Sequence, residues 1–271
     1  ECRTYVEWRT CGKSKAESAA KKLKAFNPEI EIRIYDVKLD NQNALKIISE
    51  YDVIIDCTDN FQTRYLINDA CVILDKPLVY GAVMGFEGQA AVFIFRDKKT
   101  GIRTNYRDLF PNPPDDGSVI SCNEAGVLGV VPGIIGTMQA AEAIKIITGI
   151  GKVLCNTIIS YNVLSNRFEK FTISPLENTG SSIPGSQSEF SKYNYERFCG
   201  IKKSENEISV EDFYDLLVKE NVRVIDIREE NEMPLLRKFK TEKIPMTVFE
   251  KNISLLNSDE TIVLICQTGK R

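Results

Sequence analysis

The sequence predicts an α/β protein, a doubly wound and mostly parallel sheet joined to a second, smaller α/β domain. Three observations carry that expectation. Val53-Ile54-Ile55 is a continuous β-branched run without polar alternation, as a strand buried on both faces requires. Runs of this kind alternate along the chain with segments of helical spacing and length, the sign of parallel strands joined by helical crossovers. A tract over residues 175–207, rich in Ser, Gly, Asn and charge, separates two such series.

Taken in order, Ala16, Ala19, Ala20, Leu23 and Phe26 recur at helical spacing over residues 12–26, and Asn27-Pro28 ends that helix. A strand is expected at 31–37, a short helix at 43–50, and then the apolar strand that runs into Asp56. Residues 61–74 read as helix and 77–83 as strand; Gly85 and Gly88 suit a turn before a strand at 88–95. Residues 97–121 hold Pro111, Pro113, Pro114, Asp115, Asp116 and Gly117 and read as a long mobile loop. A long apolar helix follows at 124–148. Its Gly126, Gly129, Gly133 and Gly136 allow close backbone approach, and Pro132 is expected to kink it or split off a turn. Strands at 156–161 and 167–172 complete a first domain over 1–174. Beyond a linker at 175–207, a helix at 209–219 with Ser209 as N-cap and strands at 223–227 and 261–265 form a second domain over 208–271.

Composition excludes several functions. Across 271 residues there is no histidine, which rules out Ser-His-Asp and Cys-His catalysis and every His-containing metal site. A net charge of -3 gives no reason to expect a nucleic-acid surface or an anionic membrane partner, and no apolar run approaches the roughly 18–20 residues of a bilayer span. Eight cysteines are scattered without C-x-x-C spacing, so reduced thiols of a cytoplasmic protein, mostly core residues, are expected. No signal peptide is evident, and the chain, opening at Glu1 rather than Met, reads as a fragment.

Four groups of residues can do chemistry. Asp56-Cys57-Thr58-Asp59-Asn60 follows the Val53-Ile54-Ile55 strand, at the sheet edge where open α/β sheets bind ligands. Asp59 can take a hard cation such as Mg²⁺. Its alternative is to cap the next helix, a role that Asn60 or Thr58 can also fill. Gly12-Lys13-Ser14-Lys15 opens a helix, where lysines beside free backbone N–H groups can hold phosphates. Cys122 lies just before a helix N-terminus, which favours its thiolate, although Glu124 opposes this by like charge. Cys266 follows the strand Val263-Leu264-Ile265. Gln267, Thr268, Gly269, Lys270 and Arg271 after it suit an anion nest with added positive charge. Four residues separate Cys266 from Arg271, one fewer than in cysteine phosphatases, a cradle better sized for a sulfane sulfur than for a phosphate.

These motifs resemble the MoeB/ThiF family, bacterial relatives of ubiquitin-activating enzymes. The resemblance rests on residues 12–16, 56–60, Gly81 with Glu87-Gly88-Gln89, and 122–129 running into 139–145. Asp226-Ile227-Arg228-Glu229 with residues 266–271 resembles a rhodanese domain, and the two in this order resemble the MoeB–rhodanese sulfurtransferases. The resemblance implies a Rossmann-like first domain. It also implies ATP- and Mg²⁺-dependent adenylation of the C-terminal glycine of a ubiquitin-fold sulfur carrier ending in Gly-Gly, then sulfur transfer to give a thiocarboxylate. It assigns Lys15 to the nucleotide phosphates and Asp59 and Asn60 to nucleotide and metal. Cys122 becomes the cysteine of acyl or persulfide exchange and Cys266 the persulfide carrier. It further implies a homodimer, a cysteine desulfurase as sulfur donor, and a molybdopterin, thiamine or tRNA-thiolation pathway.

Three departures accompany the resemblance. The family's Gly-rich nucleotide loop has no counterpart, so residues 1–11 read as a remnant and the chain is expected to be truncated at both ends, with part of the ATP site missing. The family's first zinc pair falls at Asn105 and Asp108, and the second has no counterpart after Thr172; no zinc is expected, and the tail should be held by packing alone. The Pro often found after the Asp-Ile-Arg-Glu motif is absent. The competing readings are a non-catalytic carrier-binding adaptor, an NAD-dependent oxidoreductase, for which no G-x-G-x-x-G occurs, and phosphatase action at Cys266.

Overall fold

The computed structural model describes residues 14–114, 126–177, 182–200, 208, 210–219, 222–230, 239–252, 256 and 260–266. The chain divides into two compact units, Glu1–Lys202 and Lys203–Arg271.

The first unit begins with α1 (Lys15–Phe26), capped by Ser14, whose Oγ accepts from the Glu17 N–H at 3.5 Å. The strand expected at 31–37 does not form, and Ile30, Ile34, Tyr35 and Val37 stand exposed. A strand needs a neighbour to satisfy its peptide groups. Among the described residues none lies beside this segment, which Arg33 ties instead to Glu31 and Glu50. After α2 (Ala44–Ser49), β1 (Ile54–Asp56), α3 (Phe61–Leu74) and β2 (Leu78–Met84) form a crossover with β1 parallel to β2, Asp56 opposite Tyr80.

Beyond β2 the sheet continues antiparallel. Only two residues link β2 to β3 (Glu87–Phe93), and Gly85 supplies the φ of +57° that such a loop demands. β4 (Thr157–Asn162) and β5 (Arg167–Thr172) add antiparallel, giving the order β1-β2-β3-β4-β5. The α/β class holds. Among the described strands of this unit only β1 and β2 pair in parallel, beside isolated parallel bridges of Gly85 with Val127 and Val92 with Cys155. The two-residue loop after β2, too short for a crossover, makes β3 antiparallel.

Successive side chains of β2 and β3 serve opposite layers. Leu78, Tyr80, Ala91 and Phe93 pack with Tyr65, Leu66 and Ala70 of α3. Val79 and Val92 pack with Ala143 of α5 (Val130–Thr148) on the other face. Pro132 sits in the first turn of α5, where an N–H has no intrahelical acceptor, and so leaves the helix unbroken. By length and composition α5 could cross a membrane, a longer apolar stretch than the sequence reading allowed. It lies instead along β2 and β3, burying Val131, Ile135, Gln139, Glu142 and Ala143. The close approach expected of the helix glycines comes from the sheet: a Cβ on Gly88 would stand 2.8 Å from Ile135 Cδ1, whereas Gly129, Gly133 and Gly136 have nothing within 4 Å.

Two other expectations change. Part of the supposed mobile loop at 97–121 is core: a capping box between Asn105 and Asp108 starts α4 (Tyr106–Leu109), and Thr104, Tyr106 and Arg107 are buried. Residues 115–121 of that loop lie outside the described residues, as do 122–125 after it. Part of the supposed linker at 175–207 is also folded, as α6 (Gln187–Lys192) and α7 (Tyr195–Phe198), because Phe190 and Tyr195 bury in the core that α3 builds. Nor is this tail held by packing alone. The Leu176 N–H donates to Asp108 Oδ1 at 2.9 Å, and the Tyr195 hydroxyl donates to Asp69 Oδ2 at 2.9 Å.

The second unit has α8 (Val210–Lys219), β6 (Arg223–Asp226), β7 (Glu242–Lys243), α9 (Met246–Asn252) and β8 (Ile262–Ile265). Its sheet is wholly parallel, ordered β7-β6-β8, over a core of Ile225, Ile227 and Ile244. Ser209, expected to cap α8, lies outside the described residues.

Candidate functional site

The C-terminal end of β1 carries the densest set of candidate residues in the first unit. Asp56 is 1% exposed, and its Oδ1 accepts from the Thr58 N–H at 2.8 Å and the Thr58 hydroxyl at 2.7 Å. Burial pushes the Asp56 carboxyl above its ordinary value, against those two hydrogen bonds and the Arg64 charge. Arg64 reaches from α3 to donate through Nε and Nη2 to the Thr58 carbonyl at 3.2 and 2.8 Å, while its guanidinium lies 5.5 Å from the Tyr80 ring centre. The turn is therefore rigid up to Thr58.

Asp59 and Asn60 come next, and they divide the two roles weighed for them. Asn60 is the N-cap of α3, its Oδ1 accepting from the Thr63 N–H at 2.8 Å. Asp59 is exposed and makes no hydrogen bond or ion pair with any described residue. A carboxylate relieved of capping at a strand's C-terminal edge is free to meet a cation. Beside it, the first turn of α3 helps line a cavity of about 370 Å³, where Gln62 and Thr63 face Lys38, Asp40, Leu66 and Tyr193.

Sequence reasoning passed over two residues that build this turn. Arg64 sits in the middle of a helix whose apolar pattern drew the attention. Gln139, quoted only as part of a motif, is buried on α5, and its Nε2 donates to the Asp56 carbonyl at 2.7 Å and the Val79 carbonyl at 3.3 Å. Its Oε1 accepts from the Cys57 thiol at 3.5 Å. The signal that could have found it is its spacing: Gln139 falls on the same α5 face as Val131 and Ile135, so it must be buried and must have partners.

The remaining sites divide between described and undescribed residues. Lys15 is the exposed first residue of α1, and no ion pair joins it to Asp59 among the described residues. Cys122 and Gln267, Thr268, Gly269, Lys270 and Arg271 lie outside the described residues. Cys266 is described: half-buried at the end of β8, it packs against the Ile225, Ile227 and Ile244 core. Nearby, Asp226 at the end of β6 and Arg228 two residues on form a buried pair with bonds of 2.8 Å from Nε and from Nη2. The Arg228 hydrogen bond holds the Asp226 carboxyl below its ordinary value against burial. Glu229 accepts from the Thr247 N–H and hydroxyl at the first turn of α9. Other thiols are set aside by their surroundings: burial raises Cys71 and pushes Cys199 up to about 11. No cluster of three or more His, Cys, Asp or Glu suited to a metal occurs among the described residues.

A model of the ThiF family matches residues 4–182. The probable adenylyltransferase/sulfurtransferase MoeZ of Mycobacterium tuberculosis is 36% identical over 96% of this chain and 67% of its own length. The sulfur carrier protein adenylyltransferase of Thermus thermophilus is 44% identical over 70% of each chain. The adenylyltransferase and sulfurtransferase MOCS3 of Xenopus laevis is 33% identical over 95% of this chain, which spans 62% of that relative. Among solved structures, E. coli MccB with ATP superposes at a TM-score of 0.53 and 18% identity over 64% of this chain and 52% of that one, a likeness of fold.

Proposed function

The chain belongs to the ThiF family, and from that premise we propose that it adenylates the C-terminal glycine of a ubiquitin-fold sulfur carrier and then passes sulfur to it. The observation that carries the reading is Asp59: a carboxylate at the C-terminal edge of β1, exposed and unpartnered among the described residues, on a turn fixed from two helices. Asp59 offers Mg²⁺ the hard oxygen ligand it takes beside substrate phosphates, and the metal would supply charge neutralisation there. Asn60 remains a candidate nucleotide contact through its amide nitrogen, and Lys15 a candidate for the phosphates.

The carrier's terminal carboxylate attacks the α-phosphorus of ATP, a P–O bond forms, and pyrophosphate leaves. A persulfide on Cys266 then attacks the acyl carbon and displaces AMP, leaving an acyl persulfide. Cleavage of its S–S bond by a second thiolate, the role proposed for Cys122, releases the thiocarboxylate and joins the two sulfurs as a disulfide. Gln267, Thr268, Gly269, Lys270 and Arg271 are proposed to cradle the Cys266 persulfide. A cysteine desulfurase is the proposed sulfur donor, and molybdopterin or thiamine biosynthesis the proposed setting. Reduced cysteines at 57, 71, 155, 199 and 266, none of them in a disulfide, suit a reducing cytoplasm. The exposed outer face of α5 supports a homodimer.

The test is ATP–pyrophosphate exchange by the full-length protein with a carrier ending in Gly-Gly. Asp59→Ala is expected to lower exchange on the order of a hundredfold, the scale for removing one transition-state charge partner. Undiminished exchange in Asp59→Ala would overturn the site. Carrier binding without ATP consumption would favour an adaptor.

A further inference from the structure

Gln139 is 3% exposed, and every polar atom of its side chain is used. The acceptors of its Nε2, Asp56 O and Val79 O, belong to neighbouring parallel strands. Asp56 is the last residue of β1, so one side chain of α5 reaches across to the point where that strand ends. Room for the amide comes from Gly81 of β2: a Cβ there would stand 2.6 Å from Gln139 Nε2 and closer still to Cδ and Oε1. A Cβ at 81 would force the amide to shift. On the far side of the same turn, Arg64 of α3 holds Thr58 O, and Asp56 Oδ1 holds Thr58 N.

Two helices on opposite faces of the sheet thus grip consecutive residues, and the next residue along is Asp59. A side chain so placed touches neither nucleotide nor metal. It decides where the touching group stands. Resting on the reading of Asp59 proposed above, we infer that Gln139 is a positioning residue for adenylation: its amide fixes the Asp56–Thr58 turn and thereby aims the Asp59 carboxylate at the metal-charged triphosphate. Only a neutral amide of this length meets the requirement. Glutamate lacks the donor for Asp56 O, asparagine is one methylene short, and methionine fills the space without either bond. Supporting residues one step removed from a metal commonly change metal affinity or activity by about 10–100-fold.

The test uses the full-length protein and calorimetric binding of ATP with Mg²⁺, and of ATP with EDTA in its place. Gln139→Met is expected to raise the Kd for MgATP about tenfold and to leave binding of metal-free ATP unaltered. In an Asp59→Asn background the same substitution should add nothing, since the two residues act in series. Equal losses for MgATP and metal-free ATP, or effects that simply add, would mark Gln139 as a packing residue and overturn the inference. Should Gln139→Met fail to fold, Gly81→Ala displaces the amide while removing no polar group and is expected to give the same pattern. A folded Gly81→Ala with wild-type MgATP affinity overturns the inference. Wild-type protein that binds no MgATP overturns both this role and the underlying function. Wild-type binding with an indistinguishable Gln139→Met overturns this role alone.

Discussion

Arg107 shows how one buried charge can replace a staple. It is fully buried, and its Nε and Nη2 donate to the two oxygens of Asp69 at 2.9 and 2.7 Å. The guanidinium lies 4.9 Å from the Tyr65 ring centre and 4.6 Å from that of Phe198. Burial works against its charge, and the Asp69 carboxylate outweighs burial, so its pKa is raised. Tyr195 completes the set by donating to Asp69 Oδ2, which ties α7 to α3 and α4. Asn105 and Asp108, the positions where relatives were expected to carry zinc cysteines, meanwhile cap α4 and hold the Leu176 N–H. Removing one member of such a pair leaves an uncompensated charge in the interior, at a cost of about 3–5 kcal/mol. Asp69→Asn should lose stability on that scale in urea unfolding, while Asp69→Leu combined with Arg107→Met, which removes both charges, should lose less. A loss below 1 kcal/mol for Asp69→Asn would show that the pair is not what holds the tail.

At the scale of the element, α5 and the sheet fit because glycine sits in the strands. Gly88 of β3 lies under Ile135, and an added methyl has no free space. Gly88→Ala is expected to destabilise by ~1–3 kcal/mol through overpacking. Pairing it with Ile135→Val should recover part of that loss, and thermal unfolding of the two variants measures both effects. Chain order made α3 legible to the residue, because Asn60 and the apolar spacing after it define a start, and Asp75, with a φ of 53°, closes it. The strand read at 31–37 failed for the opposite reason. Alternating Glu, Ile, Arg and Tyr describes a half-buried strand, but only a neighbouring strand makes it one. Tyr106 and Arg107 were hidden in a stretch rich in turn residues, since their burial depends on Tyr195 and Phe198, about ninety residues onward. Asp59 and the cysteines were visible as chemistry; Gln139 and Arg64 were not, because their task is to hold backbone atoms that a sequence does not display.

For the whole molecule, the two units carry separate halves of the proposed chemistry on separate cores, Asp59 over one sheet and Cys266 at the end of the other. One surface of the first unit bears on the homodimer proposed above. Val130, Ile144 and Ile147 of α5 are 55%, 54% and 71% exposed, and Leu128 just before the helix is exposed as well. Gly129, Gly133 and Gly136 find no neighbour within 4 Å among the described residues, so the backbone there is open to close approach. A contiguous apolar helix face of this length marks an interaction surface. The face carries no charge of one sign for another protein to complement, and a patch of that kind is suited to an isologous contact, in which each subunit presents the same helix. Sedimentation equilibrium of the full-length protein is therefore expected to give a dimer. Ile144→Glu with Ile147→Glu places like charges opposite each other across a two-fold axis, and this variant should sediment as a monomer with an unaltered far-ultraviolet circular dichroism spectrum. A dimer that survives both substitutions would place the contact elsewhere on the surface, and a wild-type monomer at micromolar concentration would leave α5 without the partner proposed for it.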